Sequence, residues 1–107
     1  MNRGDIYWVD LNPTRGSEIN KKRPCVIVSA TSINRARNTV IVIPLSTGAK
    51  PRPPIVISVE CMGKQVSAVC DQIRTVDKTR LTQPIGTLFA ADLETLDESL
   101  RQILALL

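Results

Sequence analysis

Apolar and polar positions along this chain alternate over short runs, and the period lengthens only near the carboxyl end. Short β-type runs of this kind predict strands. We predict six of them, over residues 5–11, 24–30, 39–45, 55–60, 65–73 and 84–88. The runs at 24–30 and 39–45 are almost continuously apolar, which is typical of strands buried on both faces. Polar or proline-rich segments at 12–22, 31–38 and 49–54 predict loops, and the second has room for one helical turn.

The last part of the chain has a helical period. Its apolar residues recur every three or four positions, at Leu93, Leu96, Leu100, Ile103, Leu104 and Leu107. This pattern predicts one amphipathic C-terminal helix, and a shorter helical turn is expected at 77–81. Short strands followed by one helix predict a mainly β domain over residues 1–107, a small twisted sheet or partly open barrel with the helix packed over one side. Two fully apolar strands in 107 residues also favour burial of a face against a second copy of the chain.

Composition narrows the range of possible partners. The chain is 43% hydrophobic but has only three aromatic residues, so aliphatic side chains must fill the core. Its formal net charge of +4 is compatible with a polyanionic partner, and equally with solubility alone. The N-terminus has no signal-peptide pattern, and the longest apolar run, residues 40–45, is too short to span a bilayer. We therefore expect a cytoplasmic protein.

The side chains that usually hold metals or act as nucleophiles are sparse. The three cysteines, Cys25, Cys61 and Cys70, include no C-x-x-C pair, and the chain has no histidine. This argues against a disulfide framework, a zinc site and a catalytic cysteine. The carboxylates show no close pairing that would indicate a metal site, and no nucleotide-binding motif is present. Any acid–base chemistry, without metal or cofactor, would then fall to carboxylates and arginines.

Polar residues cluster where the predicted strands end. They are Glu18 and Arg23 around the first loop, Ser46 and Thr47 after the second apolar strand, and Asp71, Gln72 and Arg74 at the end of the fifth strand. If these strands are neighbours, their ends could converge on one groove suited to a phosphodiester, because guanidinium groups bind phosphate oxygens and hydroxyls can support developing charge. A carboxylate could take the proton of a ribose 2′-hydroxyl. The plainer interpretation is a capped turn at Glu18 and a surface ion pair between Asp71 and Arg74.

Several consecutive motifs carry a family resemblance. They are R-G-D-I-Y-W-V-D-L-N-P-T at 3–14, G-S-E at 16–18, R-P-C-V-I-V-S at 23–29, I-P-L-S at 43–46, D-Q-I-R-T-V-D-K at 71–78, and I-G at 85–86 before the leucine-rich helix. In this order, and over essentially the whole chain, the sequence resembles the MazF/PemK toxins of bacterial type II toxin–antitoxin systems.

The resemblance implies both fold and function. It implies an SH3-like, partly open barrel of the CcdB/PemK type with a C-terminal helix, assembled as a homodimer. It also implies a metal-independent, sequence-specific endoribonuclease, an mRNA interferase. Such a toxin cuts single-stranded RNA, leaves 2′,3′-cyclic phosphate and 5′-hydroxyl ends, and thereby inhibits translation and arrests growth. The implied partner is a cognate antitoxin with an acidic disordered tail, and DNA would be contacted only through that antitoxin.

The resemblance also implies roles for individual residues. Arg23 would act as acid or stabilise the transition state, Ser46 stands where many members have a catalytic threonine, and Glu18 and Asp71 are alternative general bases. The RNA contacts are expected among Thr47, Lys50, Arg52, Gln72, Arg74 and Lys22. Two departures concern the PemK branch, which has a histidine at position 17 and an arginine at position 69, where this chain has Ser17 and Val69. The chain is therefore more similar to the branch that relies on an arginine and a hydroxyl.

A second class of function remains open for this fold. A related toxin group with the same barrel binds and poisons DNA gyrase without cutting RNA. That activity would depend on the C-terminal helix and would not need Arg23 or Ser46. The arginine and the hydroxyl favour the nuclease.

Overall fold

The computed structural model describes residues 1–107 and contains seven β-strands and two α-helices. The strands are β1 (Asp5–Asp10), β2 (Lys22–Ile27), β3 (Thr39–Ser46), β4 (Val56–Cys61), β5 (Lys64–Val69), β6 (Arg74–Asp77) and β7 (Leu81–Thr87). The helices are α1 (Thr31–Ala36) and α2 (Ala90–Ile103), and 3-10 turns lie at Cys70–Gln72 and Lys78–Arg80. The mainly β fold with a C-terminal helix is as expected from the sequence.

The strands form one curled antiparallel sheet. The order is β4-β5-β3-β2-β1-β7, and β6 pairs with the first half of β3 on the edge that β5 occupies farther along. β2, β3 and β5 are therefore neighbours, as the groove hypothesis required. β4 and β5 are joined by the two-residue turn Met62-Gly63, in which both residues have positive φ, 55° and 76°. Such turns match the right-handed twist of a hairpin.

The sheet buries a core on each face. The larger core holds twelve buried residues, including Ile43, Val59 and Leu96, and α2 covers it. The smaller core, on the other face, includes Val9, Cys25 and Val42, and Ile19 of the first loop packs against it. Burial on both faces explains why β2 from Pro24 onward and most of β3 are apolar, and it confirms that expectation.

Three predicted strands have wrong boundaries. The strand predicted over residues 24–30 begins earlier, at Lys22, because Lys22 and Arg23 pair with β1, and it ends at Ile27, the last residue paired with β3. The strand predicted over residues 65–73 ends at Val69, because the chain turns in the 3-10 turn Cys70–Gln72 and then pairs again with β3 as β6. The polar pair Asp71-Gln72 is the only local sign of this turn, and Ile73 beyond it continues the apolar pattern, so the predicted strand runs through it. The last strand is longer than predicted, and it includes Pro84. Proline is tolerated there because β7 pairs only with β1 and is an edge strand.

The C-terminal helix ends earlier than its leucine pattern indicates. Ala105 adopts a positive φ of 55°, and the Leu106 amide donates to the Arg101 carbonyl. This reversal ends the helix and leaves Leu107 fully exposed. Neither α-helix is long and apolar enough to cross a lipid bilayer.

Candidate active site

Eight of the ten predicted site residues fall into two concavities. The first, here called the Arg23 pocket, has a volume of about 420 Å³. It is lined by residues from β1, β2, the end of β3 and the β4–β5 hairpin, namely Trp8, Lys22, Arg23, Pro24, Leu45, Ser46, Thr47, Cys61, Met62, Lys64 and Val66. Four of the ten predicted site residues, Lys22, Arg23, Ser46 and Thr47, thus share one pocket.

Arg23 is held at the start of β2. Its backbone pairs with Val9 of β1, and the following Pro24 restricts it to an extended conformation. Its Nε donates to the Asn20 carbonyl at 2.8 Å. Neither of the two ion pairs in the molecule involves Arg23. The half-buried guanidinium is therefore oriented by one hydrogen bond, and its terminal nitrogens can bind an anion.

Ser46 lies at the end of the neighbouring strand. Cys25 pairs with Pro44, and the same antiparallel register continued by two residues brings Arg23 opposite Ser46. The Ser46 Oγ accepts a hydrogen bond from the Gly48 amide at 3.2 Å. That bond uses a lone pair of the hydroxyl, so the hydroxyl proton can still be donated.

The second concavity, here called the Glu18 pocket, contains the predicted carboxylates. Its volume is about 350 Å³, and it is lined by Ser17, Glu18, Asp71, Gln72, Ile73 and Arg74. Glu18 is exposed, and its Oε1 accepts from the Arg15 amide at 2.6 Å, so it caps the turn of its own loop. Asp71 is exposed at the 3-10 turn and makes no ion pair with Arg74. The groove expected from the sequence is thus divided, with the arginine–hydroxyl pair in one concavity and both carboxylates in the other.

Gln72 and Arg74 are already engaged with the first loop. The Gln72 Oε1 accepts from the Ile19 amide at 3.0 Å, and its Nε2 donates to the Ser17 carbonyl at 3.1 Å. The Arg74 Nη1 donates to the Leu11 carbonyl at 3.4 Å. Their hydrogen bonds therefore hold the loop that connects β1 to β2.

The remaining predicted contacts lie on the proline-rich loop. Lys50 and Arg52 are exposed and line neither pocket. The Arg52 backbone exchanges two hydrogen bonds with Val56, which anchors the far end of this loop to β4.

Cys25 lies close to Arg23 of the first pocket and to Arg74 of the second. Burial raises the pKa of its thiol to about 12, although the positive charges of Arg74 and Arg23 act in the opposite direction. The thiol is thus neutral at physiological pH and serves as a core residue. No group of three or more His, Cys, Asp or Glu side chains is arranged to hold a metal ion.

Sequence reasoning missed part of the Arg23 pocket. The sequence pattern places Trp8 in the first strand but assigns no site role to Trp8 or to Lys64. Met62-Gly63 lies between two predicted strands, but no local pattern shows that this hairpin reaches the end of β3. The one available signal was that a tryptophan is unusual in a chain so poor in aromatic residues.

Known proteins resemble this chain along nearly its full length. The family model described as "PemK-like, MazF-like toxin of type II toxin-antitoxin system" matches residues 2–104. A protein named endoribonuclease MazF9 from Mycobacterium tuberculosis is 42% identical, with 94% of this chain and 93% of that protein aligned. The endoribonuclease EndoA of Bacillus subtilis is 35% identical over 100% of this chain and 97% of its own length.

Solved structures share the fold at lower identity. A MazF structure from Deinococcus radiodurans superposes with a TM-score of 0.87 at 20% identity, covering 98% of this chain and 96% of the other. A mycobacterial endoribonuclease in complex with its cognate antitoxin gives a TM-score of 0.80 at 23% identity, covering 100% and 95%. These structures show the same partly open barrel.

Proposed function

Because this chain belongs to the PemK-like, MazF-like family of type II toxin–antitoxin toxins, we propose that it is a toxin that cleaves single-stranded RNA, mainly mRNA, without a metal ion. Its relatives in Mycobacterium and Bacillus are named endoribonucleases. The observation that carries the proposal is the joint presence of Arg23 and Ser46 in one pocket at adjoining strand ends. Sequence-specific cleavage of mRNA would inhibit translation and arrest growth.

The chemistry follows from the groups in the Arg23 pocket. The ribose 2′-oxygen attacks the adjacent phosphorus, and the bond from phosphorus to the 5′-oxygen breaks. The departing 5′-oxygen takes a proton from water, so a 2′,3′-cyclic phosphate and a 5′-hydroxyl result. The Arg23 guanidinium and the Ser46 hydroxyl donate hydrogen bonds to the phosphoryl oxygens, where negative charge develops. The charge is stabilised by fixed donors, so the step needs no metal.

A carboxylate is proposed to accept the 2′-hydroxyl proton. Glu18 and Asp71 are the two candidates, and both line the Glu18 pocket. The segment from Ser17 to Pro24 contributes to both concavities. An RNA strand that lies along this segment therefore passes from the Arg23 pocket to the Glu18 pocket. Comparing Glu18→Gln with Asp71→Asn assigns the base, because only the variant lacking it loses the acidic limb of the pH–rate profile.

The surrounding cations are proposed to contact RNA phosphates. Lys22 and Thr47 line the Arg23 pocket, and Lys50 and Arg52 follow it along the chain. Such contacts supply affinity and register without reading sequence. Gln72 and Arg74 lie beside the Glu18 pocket, and their existing hydrogen bonds favour a structural role ahead of direct RNA contact.

We further propose a cytoplasmic homodimer that is neutralised by a cognate antitoxin. Related toxins from mycobacteria and Deinococcus have been solved with an antitoxin or with MazE. The formal charge of +4 suits an acidic, disordered antitoxin tail that folds on binding and covers the basic RNA surface. DNA would be reached only through the antitoxin.

The deciding experiment is incubation of the protein with a long single-stranded RNA in EDTA, followed by analysis of the fragment ends. We expect cyclic phosphate and 5′-hydroxyl ends, and a substrate with a 2′-deoxyribose at the cut position should remain intact. Arg23→Ala should lower kcat by about 10²–10³-fold, by analogy with the loss of an oxyanion donor. The matched control is Arg35→Ala, which removes an exposed arginine of α1.

Two results would contradict this assignment. Wild-type cutting by a folded Arg23→Ala protein would remove the catalytic role of the arginine. RNA left intact by the wild-type protein would favour the alternative function, a non-nucleolytic toxin of the same fold that binds a protein target.

A further inference from the structure

Trp8 is the only tryptophan of the chain, and it belongs to neither hydrophobic core. It lies on β1 opposite Pro24 and lines the Arg23 pocket. The other two aromatic residues are placed differently: Tyr7 packs against the smaller core, and Phe89 is exposed before α2. One flat aromatic surface is therefore available beside the proposed catalytic pair.

The rest of the pocket has a definite chemical character. Leu45 and Cys61 belong to the larger core and Val66 packs against it, so they form an apolar wall continuous with the interior. The charged lining residues are all cationic, namely Lys22, Arg23 and Lys64, and no carboxylate lines the pocket. An apolar, aromatic cavity surrounded by cations suits a flat ring that is attached to a phosphate.

We propose that the Arg23 pocket is a nucleobase subsite, in which Trp8 stacks against a base next to the scissile phosphate. This inference rests on the proposed function, because that function places the phosphate at Arg23 and Ser46. A base is joined to its phosphate through one ribose, so a base adjoining that phosphate must lie close to these two residues. Single-stranded RNA is commonly bound by stacking of unpaired bases on aromatic side chains.

The size of the cavity favours a base over a protein segment. About 420 Å³ is near the lower end of the range for small-molecule sites, and it is enough for one heterocycle with water but not for several residues of a peptide. An acidic peptide would also suit the cations, but it offers no reason for an apolar wall beside the half-buried indole of Trp8. The pocket therefore holds a base, and the cations Lys22 and Lys64 hold its phosphate-bearing strand.

The single tryptophan makes the proposal directly measurable. The wild-type protein is titrated with a short RNA that carries a 2′-deoxyribose at the cut position, so that binding occurs without cleavage. Stacking should quench the Trp8 fluorescence. In a series of oligonucleotides with one abasic position each, one position next to the cut should abolish the quenching and weaken binding, while more distant positions should not.

Kinetics of matched variants test the same contact. Trp8→Leu keeps apolar bulk but removes the aromatic face, and we expect kcat/KM to fall between about fivefold and about a hundredfold, the range for loss of one base stack. Trp8→Phe should restore most of the activity. Phe89→Leu, which alters an aromatic residue outside the pocket, should cut RNA like the wild type. Circular dichroism and thermal melting of each variant establish that it is folded.

The outcomes separate this inference from the proposed function. Wild-type cleavage that is unchanged in folded Trp8→Leu, with no quenching by the RNA, would overturn the subsite and leave the nuclease intact. Quenching by poly-glutamate but not by RNA would assign the pocket to a protein ligand and overturn the subsite as well. Absence of any cleavage by the wild type would overturn the proposed function itself.

Discussion

Gln72 uses both ends of its amide on the backbone of a single loop. It accepts from Ile19 and donates to Ser17, while Arg74 holds the Leu11 carbonyl and Arg80 holds the carbonyls of Asp10 and Asn12. At its other end the loop is held by the bond from Arg23 to Asn20. Side chains remote in sequence therefore fix the segment that carries Glu18 and leads to Arg23.

Replacing Gln72 tests whether its hydrogen bonds to the loop matter for activity. Gln72→Glu keeps the acceptor for the Ile19 amide but places a carboxylate against the Ser17 carbonyl, so it should free one side of the loop. We expect kcat to fall about tenfold with KM little changed, because the loop loses its fixed geometry and no substrate contact is removed. The Ile19 amide should also exchange faster with deuterium in Gln72→Ala.

Gln83→Ala, an exposed glutamine of β7, is the control for this change. An increase in KM alone for the Gln72 variants would instead indicate a direct RNA contact, as the sequence resemblance implied. Sequence could place Gln72 near the site, since it lies in a recognisable motif. It could not show which atoms the amide contacts, because its partners lie more than fifty positions away.

The C-terminal helix shows what an apolar pattern does and does not determine. Leu93, Leu96, Leu100 and Ile103 all belong to or pack against the larger core, as their spacing predicts. Leu104 continues the same spacing yet is 48% exposed, because the helix ends at Ile103. Arg3, from the N-terminal segment, forms an ion pair with Asp97 on this helix and hydrogen-bonds the Val28 carbonyl. Apolar packing therefore provides most of the contact between the helix and the sheet, and the ion pair adds one polar contact.

One leucine substitution within α2 and one just after it should distinguish the packed face of the helix from its exposed end. Leu96→Ala should lower the free energy of unfolding by about 2–5 kcal/mol, because it opens a cavity under a fully buried side chain. Leu104→Ala should change it by less than about 1 kcal/mol. Urea denaturation followed by circular dichroism measures both, and equal losses would mean that the last turn is packed in solution.

Strand prediction succeeded where burial gives a long apolar run and failed where one strand follows another after a short turn. β2 and β3 lie between two cores, so their sequences identified them as strands buried on both faces. The change from β5 to β6 occurs at Cys70–Gln72, where two polar residues are the only local sign, and the pairing of both strands with β3 explains it. Such pairing is a long-range property that local periodicity does not contain.

At the scale of the whole molecule, the curled sheet determines which predicted residues meet. From the sequence, a shared groove could be predicted only on the condition that β2 and β3 are neighbours. The structure shows that they are. The β4–β5 hairpin reaches the same place because the sheet curls, and it adds Met62 and Lys64 to the pocket. The arginine–hydroxyl half of the site was thus predictable from motif order, whereas the aromatic and hairpin half required the three-dimensional arrangement of the curled sheet.

Global stability should be sensitive to alkaline pH through Cys25. Burial raises its pKa from 9.0 to about 12 in the folded protein, whereas the thiol of the unfolded chain ionises near 9.0. The thiol's contribution to stability is therefore complete below pH 9 and is lost as the pH rises toward 12, at up to about 1.4 kcal/mol per pH unit. Urea denaturation of the wild type and Cys25→Ala between pH 8 and 11 measures the difference.

We expect a shallower alkaline loss for Cys25→Ala, even though its stability at pH 8 is lower because of the lost volume. Tyrosine and lysine residues titrate in the same range, but they are common to both proteins and cancel in the comparison. Parallel pH profiles for the two proteins would show that the thiol is not shielded from solvent as the structure indicates.

The position of the Met62-Gly63 turn allows ligand recognition to change independently of catalysis. This tip is exposed and lines the pocket, yet Arg23 and Ser46 lie on other strands and depend on other contacts. Mutations at the tip can reshape the wall around a bound ligand while the reactive pair stays in place. Lineages that carry this scaffold can therefore diverge in the sequence they recognise, step by step, without passing through inactive intermediates.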